Sequence, residues 1–219
     1  MYNRRMSSAL AAPEKGRRTQ AERRAVTRAA LLDATIDCLA EEGYVNTTTR
    51  RIAERAGVTP GALQHHFATK TELLSDARRH LGSRFAQEVL GHGSGELAPI
   101  QLRTERFLDH MWDLLKGSLF QAAMELWVAA RTDTELRQAL NEAQRDGAQW
   151  IVIGGRISYP ELAERSGFQE LVATGWSSMR GLAMLRLVNE ADADAAWPAA
   201  RTYMLALLAQ FASDAGVPS

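Results

Sequence analysis

Between residues 47 and 74 the sequence reads TTTRRIAERAGVTPGALQHHFATKTELL, and it holds three helix-start signals in close succession. The threonines at 47–49 supply a hydroxyl to cap free amides. Thr59-Pro60 is a cap followed by proline at the first helical position, where its missing N–H costs nothing. Thr69 and Glu72 form a capping box, after which Leu73, Leu74, Ala77, Leu81 and Phe85 make a long apolar stripe. The spacing predicts two short helices, joined by a turn at Gly57 and flanked by longer ones. That is helix-turn-helix spacing. Ile52 and Ala53 on the first short helix can lock against Leu63 and Phe67 on the second, and Ala56 is small where the backbones approach. So short a second helix must work through its N-terminal residues, where recognition helices read base edges and free amides favour phosphate.

The rest of the chain also reads as helical. Leu31, Leu32, Thr35, Cys38 and Leu39 place a stripe on a helix over 24–42, which Gly43 ends with Tyr44 folding back onto it. Gly91 to Gly95 is the clearest linker. Further helices are expected at about 97–117, 119–131, 133–155, 168–189 and 196–213, with Pro99 and Pro198 near starts and Ser158-Tyr159-Pro160 as a break. Val152, Ile153 and Ile157 are β-branched, but no alternating partner strand exists, so they read as a helix end. The expectation is an all-α chain with a flexible basic arm (1–22), a helix-turn-helix domain (23–70) and a larger helical domain (71–219).

Charge divides the same way. The net charge is zero, yet residues 1–80 carry +5 and residues 81–219 carry −5. Residues 1–28 alone hold eight Lys/Arg against Glu14 and Glu22. Such a split points to a polyanionic partner for the first half, although the tail read by itself is equally a solvated, disordered segment. Cys38 is the single cysteine, which excludes a disulfide within the chain. No run of 18 uncharged apolar residues exists, and the basic N-terminus lacks an apolar stretch, so neither a membrane span nor a secretory leader is expected. The location expected is cytoplasmic. Catalysis finds no support: HExxH, GxSxG, Walker A and GxGxxG patterns are missing, and Gly154-Gly155 is too little for a phosphate loop. His65 and His66 are adjacent on a helix and point apart, and Glu41-Glu42 reads as solvated surface. No enzyme, cofactor or metal is expected.

The run Thr49, Ile52-Ala53, Ala56-Gly57-Val58-Thr59, Gly61, Leu63, His66-Phe67, Lys70, Leu73, preceded by Glu41-Glu42-Gly43-Tyr44, resembles the TetR family of bacterial transcriptional repressors. The resemblance covers residues 24–80, with one departure: Gln64 stands where the family commonly has tyrosine. It implies that Thr49 meets phosphate and that Arg50 reaches into the groove, where arginine pairs with guanine O6 and N7. Thr59, Pro60 and Ala62 would lie against base edges, Gln64 would suit adenine, His65 and His66 would touch backbone or bases, and Lys70 would anchor a phosphate. Arg17, Arg18, Arg23 and Arg24 could then follow the backbone or enter the minor groove.

The second half concentrates large soft side chains: Phe107, Met111, Trp112, Met124, Trp127, Trp150, Trp176 and Met179. These build either a core or an apolar ligand cavity. The resemblance implies a cavity whose ligand changes the angle between two DNA-binding heads. His110, Gln121, Glu125, Arg131 and Arg180 are the polar residues able to orient such a ligand. The last two helices are apolar on more than one face, through Leu171, Leu182 and Leu185, then Tyr203, Leu207 and Phe211, with Gly175 and Gly181 permitting close approach. A symmetric four-helix dimer contact follows, and it suits half-sites about 34–36 Å apart. The chain is thus expected to be a homodimeric repressor of a palindromic double-stranded DNA operator, released by a small apolar or aromatic effector. A constitutive repressor, or a helical small-molecule binder without operator recognition, are the alternatives.

Overall fold

The computed structural model describes residues 19–92 and 98–217, which form α-helices and no strand. In chain order the helices are α1 (Gln20–Asn46), α2 (Thr49–Arg55), α3 (Pro60–His66), α4 (Lys70–His92), α5 (Ile100–Lys116), α6 (Ser118–Ala130), α7 (Thr134–Ser158), α8 (Phe168–Arg186) and α9 (Glu190–Ser213).

Local signals set most of the boundaries. Thr48, Thr59 and Thr69 each accept an N–H from the third residue on, at 3.2, 3.2 and 3.0 Å. Glu72 reaches back to accept from the Ala68 N–H at 2.8 Å. α1 starts four residues earlier than expected, because Thr19 and Glu22 form a reciprocal capping box. Residues 20–22 are therefore helix; Arg17 and Arg18 lie outside the described residues. Gly43 has φ +76° and ψ 168°, an extended positive-φ conformation that only glycine adopts freely, and it kinks α1 before the chain runs on to Asn46.

Two expectations about breaks give way to packing. α4 continues through Gly91 and His92 into the expected linker, since Phe85 and Val89 extend its stripe into the core. A single exposed glycine costs a helix only about 1 kcal/mol. α9 starts six residues before Ala196, where Asn189 accepts the Asp192 N–H at 3.2 Å. Pro198 lies within it. The surrounding turns are held tertiarily: Arg186 pairs with Asp194 at 3.1 Å, and Trp197 stacks on Trp112 with ring centres 4.6 Å apart.

One apolar cluster joins Leu31 and Cys38 of α1, Ile52 and Ala53 of α2, Leu63 of α3, Phe67, and Leu73 and Ala77 of α4. A larger one runs from Ile36 and Leu39 through Leu74 and Leu81 to α5, α6, α7 and α8. α1 and α4 thus contribute neighbouring stripes, one to each cluster, and tie head to body. α4 lies along α7, where Gly154 permits close approach, and Gly155 does the same between α7 and α8. A Cβ at Gly154 would collide with Val89, and one at Gly155 would come within 3.0 Å of Val172.

Candidate DNA interface and apolar cavities

α3 buries Leu63 and leaves Pro60, Gln64 and His65 exposed, with Ala62 half-buried between. Proline at its start and the Thr59 cap fix where the helix begins, so these exposed side chains share one small surface. Thr49 opens α2, which packs against α3, and is exposed. The Arg50 side chain is 84% exposed, and its Nε donates to Glu54 at 2.9 Å. That hydrogen bond holds the Glu54 carboxyl below its ordinary pKa.

His66 lies differently from His65. It is half-buried, its Nδ1 is enclosed without a partner, and burial together with the charges of Arg24, His65 and Arg28 lowers its pKa. Beside it the Arg28 guanidinium covers the Phe67 ring at 4.6 Å and pairs with Asp76. Arg23 and Arg24 are exposed on the first turns of α1. Lys70 stands over the Tyr44 ring at 4.7 Å, and burial lowers its pKa.

The pair Glu41-Glu42 does lie at the surface, with Glu41 exposed and Glu42 half-buried, but both carboxylates are paired. Arg51 of α2 donates to both oxygens of Glu42 at 3.0 and 3.1 Å, and Arg55 pairs with Glu41. The two neighbours of Arg50's helix turn thus fasten α2 to α1 and leave Arg50 pointing outward.

In the body, two adjoining cavities take up most of the large side chains singled out in the sequence. The smaller, about 110 Å³, lies among α5, α7, α8 and α9 and is walled by Phe107, Met111, Trp176 and Met179, with Leu171 and Leu207. Tyr159 closes one side, its phenol pushed up to about 12 by burial. The larger, about 220 Å³, lies among α4, α6, α7 and α8, and Met124, Trp127, Trp150 and Trp176 wall it. Trp112 lines neither; it is stacked on Trp197 in the core.

Of the polar residues expected at such a site, Arg180 alone lines either cavity. Glu125 instead accepts the Tyr44 N–H at 2.7 Å, linking α6 to the kink of α1. His110 sits 3.2 Å from the Glu88 carbonyl. Arg78 lines the larger cavity and was missed. Its signal was present in the sequence, because it falls between Leu74, Leu81 and Phe85 on the apolar stripe of α4.

On α8 and α9 the side chains named for a dimer contact divide into two groups. Leu185, Tyr203 and Leu207 are exposed, and Met184 and Val188, not anticipated, join them. Leu171, Leu182 and Phe211 are partly buried against the chain's own clusters. A Cβ at Gly175 or Gly181 would meet open space within this chain. Among the described residues no helix is long and apolar enough to cross a membrane, and no cluster of His, Cys, Asp or Glu is placed to hold a metal.

A family model described as bacterial regulatory proteins of the tetR family matches residues 31–77. The chain is 32% identical over 174 residues to an uncharacterized HTH-type transcriptional regulator, Rv2912c of Mycobacterium tuberculosis; the match covers 77% of this chain and 87% of the relative. In structure it is similar to a transcriptional regulator from Rhodococcus sp. Rha1, with TM-score 0.67, 22% identity, and 84% and 96% of the two chains covered. It is also similar to the transcriptional regulator FadR of Bacillus subtilis in complex with stearoyl-CoA, with TM-score 0.61, 18% identity, and 80% and 96% covered. The chain, with its helix-turn-helix head and larger helical body, belongs to the TetR family of bacterial transcriptional regulators.

Proposed function

We propose that this regulator is a cytoplasmic repressor that binds a palindromic operator as a homodimer and lets go when an effector with an apolar or aromatic body enters the cavities of the body. In this reading residues 23–70 bind DNA and residues 71–219 bind effector and partner. The observation that carries it is the division of α3: Leu63 and the adjacent Phe67 are 2% exposed, while Pro60, Gln64 and His65 face outward as one patch. Thr49 and Arg50 are exposed at the start of α2, the helix that packs against α3, and Lys70 opens the next helix. Thr59 spends its hydroxyl on the cap and would meet DNA through its methyl group.

The exposed Leu185, Tyr203 and Leu207 support a two-helix contribution to the dimer contact. The paired cavities support an effector, as does the stearoyl-CoA held by a regulator of the same fold. An effector shifts the dimer only through unequal affinity for its DNA-bound and released forms. The test is selection and sequencing of genomic DNA fragments bound by the full-length protein from low to physiological salt. A palindrome retained at physiological salt and lost in Arg50→Ala is the expected result. Uniform weak binding that fades steeply with salt would leave backbone electrostatics alone and overturn the operator reading.

A further inference from the structure

We infer that the larger cavity takes an amphipathic organic carboxylate, its anionic end at Arg180 and its apolar body among Trp150, Trp176 and Met124. The inference rests on the proposed effector role of the cavity and adds the charge of the ligand. Two guanidinium groups, Arg78 and Arg180, line this cavity, and among the described residues no Asp or Glu does. Arg180 is partly buried, and its guanidinium lies 4.9 Å from the centre of the Trp127 ring. Burial lowers its pKa, and no carboxylate among the described residues offsets that cost. Trp127 adds an indole N–H that is enclosed without an acceptor.

A cation held over an aromatic ring at the wall of an apolar cavity is a site for a charge-assisted hydrogen bond, and arginine meets a carboxylate with two parallel donors. Three tryptophans on one cavity would otherwise suit a quaternary ammonium ligand through cation–π contact. Here the Arg180 guanidinium already occupies the Trp127 face and repels such a ligand. A neutral ligand would fill the apolar space and leave Arg180 desolvated without a counter-charge. The carboxylate satisfies both the apolar walls and the cation.

The experiment compares three head groups on one body, 4-phenylbutanoate, 4-phenylbutan-1-ol and (4-phenylbutyl)trimethylammonium, with decanoate and decan-1-ol as an acyl pair. Binding to the full-length protein is followed by calorimetry and tryptophan fluorescence. The carboxylate is expected to bind about tenfold or more tightly than the alcohol, as a charge-assisted hydrogen bond implies, and the ammonium not at all. Arg180→Gln should abolish the preference, bringing the carboxylate and the alcohol to the same affinity, and an unchanged far-UV circular dichroism spectrum and urea midpoint show that the variant is folded. Arg180→Lys should retain the preference for the carboxylate. An alcohol bound as well as the carboxylate, or an Arg180→Gln protein that keeps the preference, overturns the charge inference and leaves the cavity reading standing. Tightest binding by the ammonium makes the cavity an aromatic cage for cations. Binding of no probe removes the proposed effector role of the cavity, and the inference with it.

Discussion

In the head, α2 and α3 are seven residues each, and Ile52, Ala53, Leu63 and Phe67 are all 2% exposed or less. In the body, longer helices enclose a larger apolar cluster and still leave cavities of about 110 and 220 Å³ between them. A surface that reads base edges must hold a few side chains in fixed positions, and a filled core with capped helix ends does that. A domain that answers to a ligand needs space and alternative packings. The widest separation of the two is expected in Phe67→Ala, which removes a fully buried ring from the filled core and should cost about 3–5 kcal/mol. Trp176→Ala removes a larger side chain that already borders both cavities, and its loss should be clearly smaller, because fewer packed neighbours are left without contacts. Urea unfolding midpoints decide it. Equal losses would erase the distinction between a filled and a hollow core.

A second contrast concerns the seams. α4 and α7 approach closely at Gly154, where the side chain of Val89 fills the place of a Cβ. Gly154→Ala should therefore destabilise by about 1–3 kcal/mol through overpacking, although alanine favours helices. The joint between head and body is a comparable case. At Gly43, with φ +76°, an added Cβ would come within 3.3 Å of Glu125 Oε2, the atom that accepts the Tyr44 N–H. Gly43→Ala should cost about 1–3 kcal/mol, because φ +76° with ψ 168° is an extended positive-φ conformation that glycine alone adopts freely. Its effect on the proposed ligand-induced release from DNA should exceed its effect on DNA affinity alone, because α6 carries both Glu125 and the cavity residues Met124 and Trp127. A thermal shift assay and fluorescence anisotropy with labelled operator measure the two quantities.

The same contrast explains what could be read ahead of the structure. The head was legible because its signals are local: Thr48, Thr59, Thr69 and Glu72 act within four residues of themselves. Where the head depends on longer reach, the sequence is silent. Glu41 and Glu42 lie fourteen and nine residues from the arginines that hold them, and nothing in their spacing marks a partner on another helix. In the body the large side chains were found but not sorted. Trp112 and Trp127 look alike in sequence, yet one stacks on Trp197 and the other walls a cavity, and a contact with α9 decides which. Pro198 misled for the same reason: the Asn189 cap and the docking of Trp197 outweigh a rule about isolated helices. Arg78 is the exception, a charge whose place on the apolar stripe of Leu74, Leu81 and Phe85 marks it in the sequence as a cavity residue.

The smallest effect expected is a pH dependence confined to the head. His66 is half-buried beside Arg24, His65 and Arg28, and burial and those charges depress its pKa. In the unfolded chain the imidazole returns to its ordinary value of about 6.5. Above that pH it is neutral in both states and its contribution to stability is complete. As the pH falls through about 6.5, the unfolded chain takes up a proton that the folded head refuses, and stability declines until the folded form is protonated too. The depressed carboxyls of Glu41 and Glu54 act in the same direction but at lower pH, below the range where histidine titrates. Between pH 7 and 5.5 the decline should therefore be smaller in His66→Gln than in the parent protein. Hydrogen exchange locates the effect: amides of α3 should lose protection on acidification, while those of α6 and α7 keep it. Equal loss across head and body would mean that the two do not titrate separately, and that α1 and α4 couple them as one cooperative unit.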